Sequence, residues 1–175
     1  MSQLINDILS IGYAVPGLIL AVGITRMFTN LDSLLINLDT FITGSILGLI
    51  LAYIIKTYAI SNNVLNSAYA SIPLSIDESA KTLGTGRLSI LRSIHIQMLK
   101  TGLFTSFLLV MAELIKELPA TLILRPFNFD TLAVSVYLLA SEERMFEAAF
   151  PGLMIIIFGL IPIYFLNKLI LNKNG

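Results

Sequence analysis

"DESAKTLGTGRLSILRSIHIQML", Asp77 to Leu99, is the one long stretch of this sequence suited to water, and apolar runs lie on both sides of it. It carries Lys81, Arg87, Arg92 and the single histidine, His95. The whole chain is 56% hydrophobic and 13% charged, with a mean hydropathy of +0.87, where soluble domains carry about 25% charged residues. That is a membrane composition, so the polar stretch reads as a connection between spans.

Several classes drop out at once. The formal net charge is zero, so no global basic field argues for nucleic acid. Without cysteine there are no disulfides, thiolate metal sites or cysteine nucleophiles, and one histidine cannot build a multi-histidine metal site. The first ten residues hold Asp7 and no Lys or Arg, so the apolar run that follows is expected to be retained rather than cleaved as a signal.

A helix that crosses a bilayer needs about 20 mostly apolar residues. Four segments qualify, at about 8–25, 40–56, 101–124 and 148–167. Gly12, Pro16, Gly17 and Gly23 in the first are tolerable where neighbouring helices re-satisfy the backbone, and small residues allow close packing. Lys56 can snorkel to extend the second. The third contains Glu113, Lys116 and Glu117, and the fourth is bounded by Glu147 and Lys168. Backbone groups in hydrocarbon must be paired internally, so the expected fold is an all-α polytopic membrane protein. "TLAVSVYLLA", from Thr131 to Ala140, is too short to cross and reads as a short outer-side helix. With the start facing the cytoplasm, Lys56, Lys81, Arg87, Arg92, Lys100, Lys168 and Lys173 fall inside and only Arg26, Arg125 and Arg144 outside, so the polar stretch is expected to be cytoplasmic.

Within that loop, at about 70–99, Ser75 can cap a short helix from about Ile76 to Leu83, with Glu78 as capping-box partner and Asp77 favouring the positive helix end. Gly84 and Gly86 form a stop and turn. A second amphipathic helix follows, with Leu88, Leu91, Ile94 and Leu99 at helical spacing. By charge alone this is an ordinary loop that sets topology. The order Glu78, Ser79, Ala80, three residues, Gly84, nine residues, Ile94 and Ile96 resembles the "EAA" signature of binding-protein-dependent ABC importer permeases. Ser79 stands for an alanine, Ile96 for a leucine and Gln97 for the closing proline. The resemblance implies that Glu78, Ser79, Ala80, Gly84, Ile94 and Ile96 form a coupling segment, residues 77–97, that docks on a cytoplasmic ATPase subunit.

"ELIKELPATLILRPFNFDTLAVSVYLLASEER" is the second informative stretch. Charges inside a membrane usually face a bundle interior or an aqueous path. Glu113 and Lys116 can pair, Glu113 and Glu117 repel on one helix face if both are ionised, and Pro119 weakens the helix beyond them. These residues either line a pathway or lock the span to a neighbour. "KELPATLILRPFNFDTLAVSVYLLASEER", "AAFPGLMIIIFGLIPIYFL" and "GYAVPGLILAVGI" resemble the C-terminal half of iron(III)-transporting members of these permeases. That implies four spans of a six-span half, a bacterial inner-membrane location, a substrate-binding protein, a separate ATPase that binds ATP and magnesium, and a second permease half or a second copy of the chain. It implies no resident cofactor or metal and no enzymatic activity in this chain. Related permeases carry thiamine, polyamine, sulfate or molybdate, and a scaffold without transport, or a truncated remnant, is the reading from another class. The resemblance implies an external binding protein, and Asp130, Glu142 and Glu143 lie where it could dock or make brief contact, or form an ordinary solvated acidic loop. "GTG" at residues 84–86 lacks the Walker continuation, and His95 reads as a helix-surface or interface residue.

Overall fold

A computed structural model describes residues 12–34, 42–82, 84 and 86–173. Among the described residues every regular element is helical: α1 (Gly17–Leu34), α2 (Ile46–Ala70), α3 (Leu74–Thr82), α4 (Arg87–Ile90), a π-helical turn (Leu91–His95), α5 (Ile96–Met98), α6 (Lys100–Ile115), α7 (Pro119–Leu124), α8 (Leu132–Ser141) and α9 (Met145–Lys173). Ile46–Ala70 and the Met145–Leu169 part of α9 are each long and apolar enough to cross a membrane. Leu88–Met98 and Lys100–Ile115 qualify together, bent by 63°.

The packing order across the bundle differs from the order along the chain. α1 lies against α2 and α7, α2 against α6, α6 against α9, and α9 against α8. The core joins Ala21, Ile24 and Phe28 of α1 to Leu49 and Ala52 of α2 and Ala120 and Leu124 of α7. Ala21, Ala52 and Ala120 are fully buried, and their small side chains let three backbones approach, the packing that membrane helices use where lipid supplies no hydrophobic drive. The C-terminal end of α1 is tied to the residues just before α2 by Asp32, whose carboxylate accepts from the amides of Ile42 (2.7 Å) and Thr43 (2.9 Å).

Helix ends depart from the sequence expectation in three places. The first expected span begins in residues outside the described ones, and α1 runs on to Leu34. The second does not end at Lys56, because α2 continues to Ala70 and Lys56 finds a partner inside the bundle instead of snorkelling. The third is broken into α6 and α7: Pro119 has no amide to bond the preceding turn, so α6 stops at Ile115 and Pro119 opens α7 at its first position. The short helix expected at Thr131–Ala140 is α8, with the Thr131 hydroxyl accepting from the Val134 amide at 3.4 Å. α9 contains Pro151 and Pro162, and packing by neighbours is what allows prolines inside such a helix.

α2 and α6 approach closely at Gly102, where an added Cβ would lie 2.6 Å from the Ala68 Cβ. Gly102→Val is therefore expected to destabilise the detergent-solubilised protein by about 1–3 kcal/mol through overpacking. Ala68→Gly in the same chain should recover most of the loss, read as thermal unfolding midpoints.

Candidate functional site

The expected coupling segment leaves the bundle at the end of α2 and returns to it at α6. α3 begins at Leu74, two residues earlier than the Ser75 cap would allow. Pro73, with its fixed φ, starts the turn and its carbonyl accepts from the Ile76 amide at 3.1 Å. Ser75 is thereby inside the first turn, and its carbonyl accepts from the Ser79 hydroxyl at 2.8 Å, so Ser75 is not the cap and Glu78 is not its box partner. Leu83, where the first helix was expected to stop, lies outside the described residues. Gly84 has φ +73°, the left-handed region that glycine enters without the Cβ penalty.

The second helix of the segment is not a regular amphipathic one. Leu91–His95 is a π turn, closed by the Ile96 amide donating to the Leu91 carbonyl five residues earlier. The extra residue rotates the chain, so Ile90 and His95 are buried while Leu88 is 79% exposed and Leu91 half exposed. The structure thus corrects the expected apolar face: Leu88 and Leu91 point outward.

Ala80 is buried, and together with Ser75, Ile76, Ser79 and Ile94 it lines a cleft of about 310 Å3 between α3 and the π turn. Three of the motif positions, Ser79, Ala80 and Ile94, are therefore neighbours in space although fourteen residues separate Ala80 from Ile94. Glu78, Gly84 and Ile96 are exposed around them, and a Cβ on Gly84 would meet nothing within 4 Å.

His95 is 6% exposed, not at the surface. Its Nε2 lies 2.8 Å from Asp77 Oδ1 on α3, and its ring stacks on Tyr69 near the end of α2, with centroids 5.4 Å apart and planes 18° from parallel. Sequence reading missed this contact. Its only signal is a lone histidine in a segment that otherwise holds Lys and Arg.

The intramembrane charges separate into two unlike sets. Glu113 and Lys116 pair at 3.2 Å on the outside of α6, with side chains 38% and 63% exposed. Glu117 does not share their face, because α6 has ended before it. Its carboxylate is buried, pairs with Lys56 of α2 through Oε2, and accepts from the Ala120 amide at 3.1 Å through Oε1. The second contact places a negative charge at the start of α7, where orphan amides favour it. Thr121 donates to the Glu117 carbonyl (3.0 Å) and its hydroxyl lies 2.7 Å from the Tyr53 hydroxyl. Gly17 of α1 closes the site: an added Cβ would be 3.0 Å from Glu117 Oε1 and 3.2 Å from Lys56 Nζ. Pro119 is exposed beside this network and supplies the break that frees Glu117 from helix geometry. None of Glu113, Lys116, Glu117 and Pro119 lines the apolar cleft of about 430 Å3 that opens between Tyr53, Met111, Thr131 and Phe158.

At the opposite end from α3, Arg125 pairs with Asp130, and Arg144 is held by Glu142 (3.1 Å) and by Glu147. Donation by the Arg144 guanidinium first to the Glu147 carboxylate and then to that of Glu142 pushes its pKa above the ordinary value. Asp130 and Glu142 therefore already have cationic partners, while Glu143 is exposed with a left-handed φ of 62°.

The family described as binding-protein-dependent transport system inner membrane component matches residues 2–173. The chain belongs to that family. It is an inner-membrane, all-α transport permease component, and the family is not one of enzymes. It is 27% identical over 156 residues to the Fe(3+)-transport system permease protein FbpB 2 of Haemophilus influenzae, covering 89% of this chain and 29% of the relative. It is also 27% identical over 155 residues to the ferric transport system permease protein FbpB of Actinobacillus pleuropneumoniae, covering 83% of this chain and 22% of that protein. The chain thus spans less than a third of these curated relatives. No solved structure matches it. In this chain the α3, Gly84 and π-turn assembly connects α2 to α6, with His95 packed on Tyr69 of α2.

Proposed function

We propose that the chain forms part of the membrane pathway of an ATP-driven importer for iron(III) delivered by a binding protein, moved by a separate ATPase subunit that docks on α3. The carrying observation is the cleft at the centre of the segment. The spaced motif residues Ser79, Ala80 and Ile94 converge there, and Glu78 and the left-handed Gly84 of the same segment are exposed. A short helix ending in an open glycine turn offers a knob for a groove on another protein. The iron(III) cargo is supported by the similarity to two ferric-transport permease proteins.

In this reading, ATP and magnesium bind the partner ATPase, nucleotide-driven closure of the ATPase pair displaces α3, and the spans exchange between outward and inward access. A second permease half, or a second copy of this chain, supplies the other docking helix. Proteoliposomes holding the assembled transporter, given its binding protein loaded with ferric ion, should accumulate iron only with ATP inside the ATPase-accessible compartment. Uptake of sulfate, molybdate, thiamine or a polyamine in place of iron would reassign the cargo, and absence of any ATP-dependent uptake would reject the importer reading.

A further inference from the structure

The contact between Tyr69, Asp77 and His95 joins three elements: the end of α2, the first turn of α3 and the π turn that leads into α6. None of these residues belongs to the spaced signature, so docking does not account for them. A buried imidazole must recover the hydrogen bonds it loses with water. In His95 only Nε2 does so, through Asp77, while the buried Nδ1 has no partner. Asp77 is thus the single polar anchor of the ring, and it comes from the helix proposed to carry the motor's force. The Asp77 side chain is 26% exposed, and its carboxylate accepts from Nε2.

The surroundings make this contact a mechanical junction. On one side the Tyr69 ring is fixed to α2, whose neighbouring Ala68 packs closely on Gly102 of α6. On the other, His95 closes the π turn, and its carbonyl accepts from the Leu99 amide at 2.8 Å where the chain bends 63° into α6. If α3 moved alone, the imidazole would be left in its pocket with neither nitrogen paired. That cost is avoided when α3, the π turn and the adjoining ends of α2 and α6 move together.

We propose that His95 is a positioning residue for coupling: held by Asp77 and Tyr69, it makes α3 rigid with the ends of α2 and α6, so that displacement of α3 reaches the spans instead of being absorbed in the loop. This rests on the reading of α3 as the ATPase-docking helix. The test uses the assembled transporter in proteoliposomes and reads iron transported per ATP hydrolysed, alongside co-purification of the ATPase. Wild-type uptake establishes the cargo, and release of the ATPase by Glu78→Lys tests docking, each separately from the His95 variants.

His95→Phe keeps a ring on Tyr69 and removes the donor to Asp77. It is expected to lower transport per ATP at least five-fold with the ATPase still bound. His95→Gln, which restores an N–H donor toward Asp77, should return the ratio to within two-fold of wild type. Asp77→Ala alters a partly exposed position and leaves the bundle core intact, so it should reproduce the His95→Phe loss, with the double variant no worse than either single one. The proposal is overturned by a ratio within two-fold of wild type in His95→Phe or Asp77→Ala, by no recovery in His95→Gln, by additive losses in the double variant, or by release of the ATPase in His95→Phe.

Discussion

Lys56→Met is expected to lower the unfolding free energy of the protein by about 3 kcal/mol, at the lower end of what removing one partner of a buried pair costs. Glu117 is buried, and without Lys56 its carboxylate keeps only the Ala120 amide as a donor while Gly17 and Tyr53 close the site against water. The lower end applies because the Lys56 side chain retains 22% exposure. Lys56→Met combined with Glu117→Gln removes both charges and leaves an amide that can still accept from Ala120, so the double variant should regain most of the loss. Glu113→Gln serves as the control. Its pair with Lys116 is exposed, and such pairs contribute about 0–1 kcal/mol. Reversible unfolding in mixed detergent micelles measures all four. A Lys56→Met protein within 0.5 kcal/mol of wild type, on the order of the scatter among neutral surface substitutions, would show that the pair does not bind α2 to α7.

Gly84→Leu is expected to abolish stimulation of ATP hydrolysis by loaded binding protein while insertion and helix content stay unchanged. Two effects add at this position. A side chain at φ +73° incurs the left-handed penalty, about 1–2 kcal/mol, which tilts the end of α3. Among the described residues, the chain neighbours of Gly84 aside, nothing lies within 4 Å of the added Cβ, so the extra volume projects into the space a docked partner would use. Gly84→Asn separates the two, because asparagine tolerates the left-handed region but still adds volume. Loss in Gly84→Leu with retention in Gly84→Asn assigns the role to backbone conformation, and equal loss in both assigns it to the space beyond the glycine. Full stimulation in both variants would remove Gly84 from the coupling surface.

The charges show where sequence reading reaches its limit. Glu113 and Lys116, three apart, pair as their spacing on one helix requires. Glu117 follows the same spacing rule only while the helix continues, and Pro119 ends it two residues earlier than the rule needs. One available signal pointed to the actual partner. Glu113, Lys116 and Glu117 leave one acid in excess, and Lys56 is the only basic residue between Thr40 and Ala70. Burying an unpaired ion is costly enough that the two had to meet or be hydrated. The coupling segment divides in a similar way. The glycine turn and the helices on either side are local features and were legible, whereas the Ser75 cap was displaced by Pro73 and the apolar face was rotated by the π turn. Pro73 was a readable signal for the earlier start, whereas the π turn carries no mark in the sequence, because it is selected by what the wider helix brings into contact.

What the sequence by itself determined is therefore what depends on near neighbours and on solvent: an all-α membrane chain, the short helix after Thr131, a break at Pro119, a glycine turn at Gly84 and the spaced signature of the family. Only the tertiary structure decided that Lys56 neutralises Glu117 under Gly17, that Ala80 and Ile94 share one cleft, and that His95 is buried between Tyr69 and Asp77. The physical reason is common to all three. Helical propensity, proline geometry and hydropathy act over a few residues, whereas a buried charge or imidazole is stabilised by whichever distant helix presents a partner, and that is set by how the helices pack.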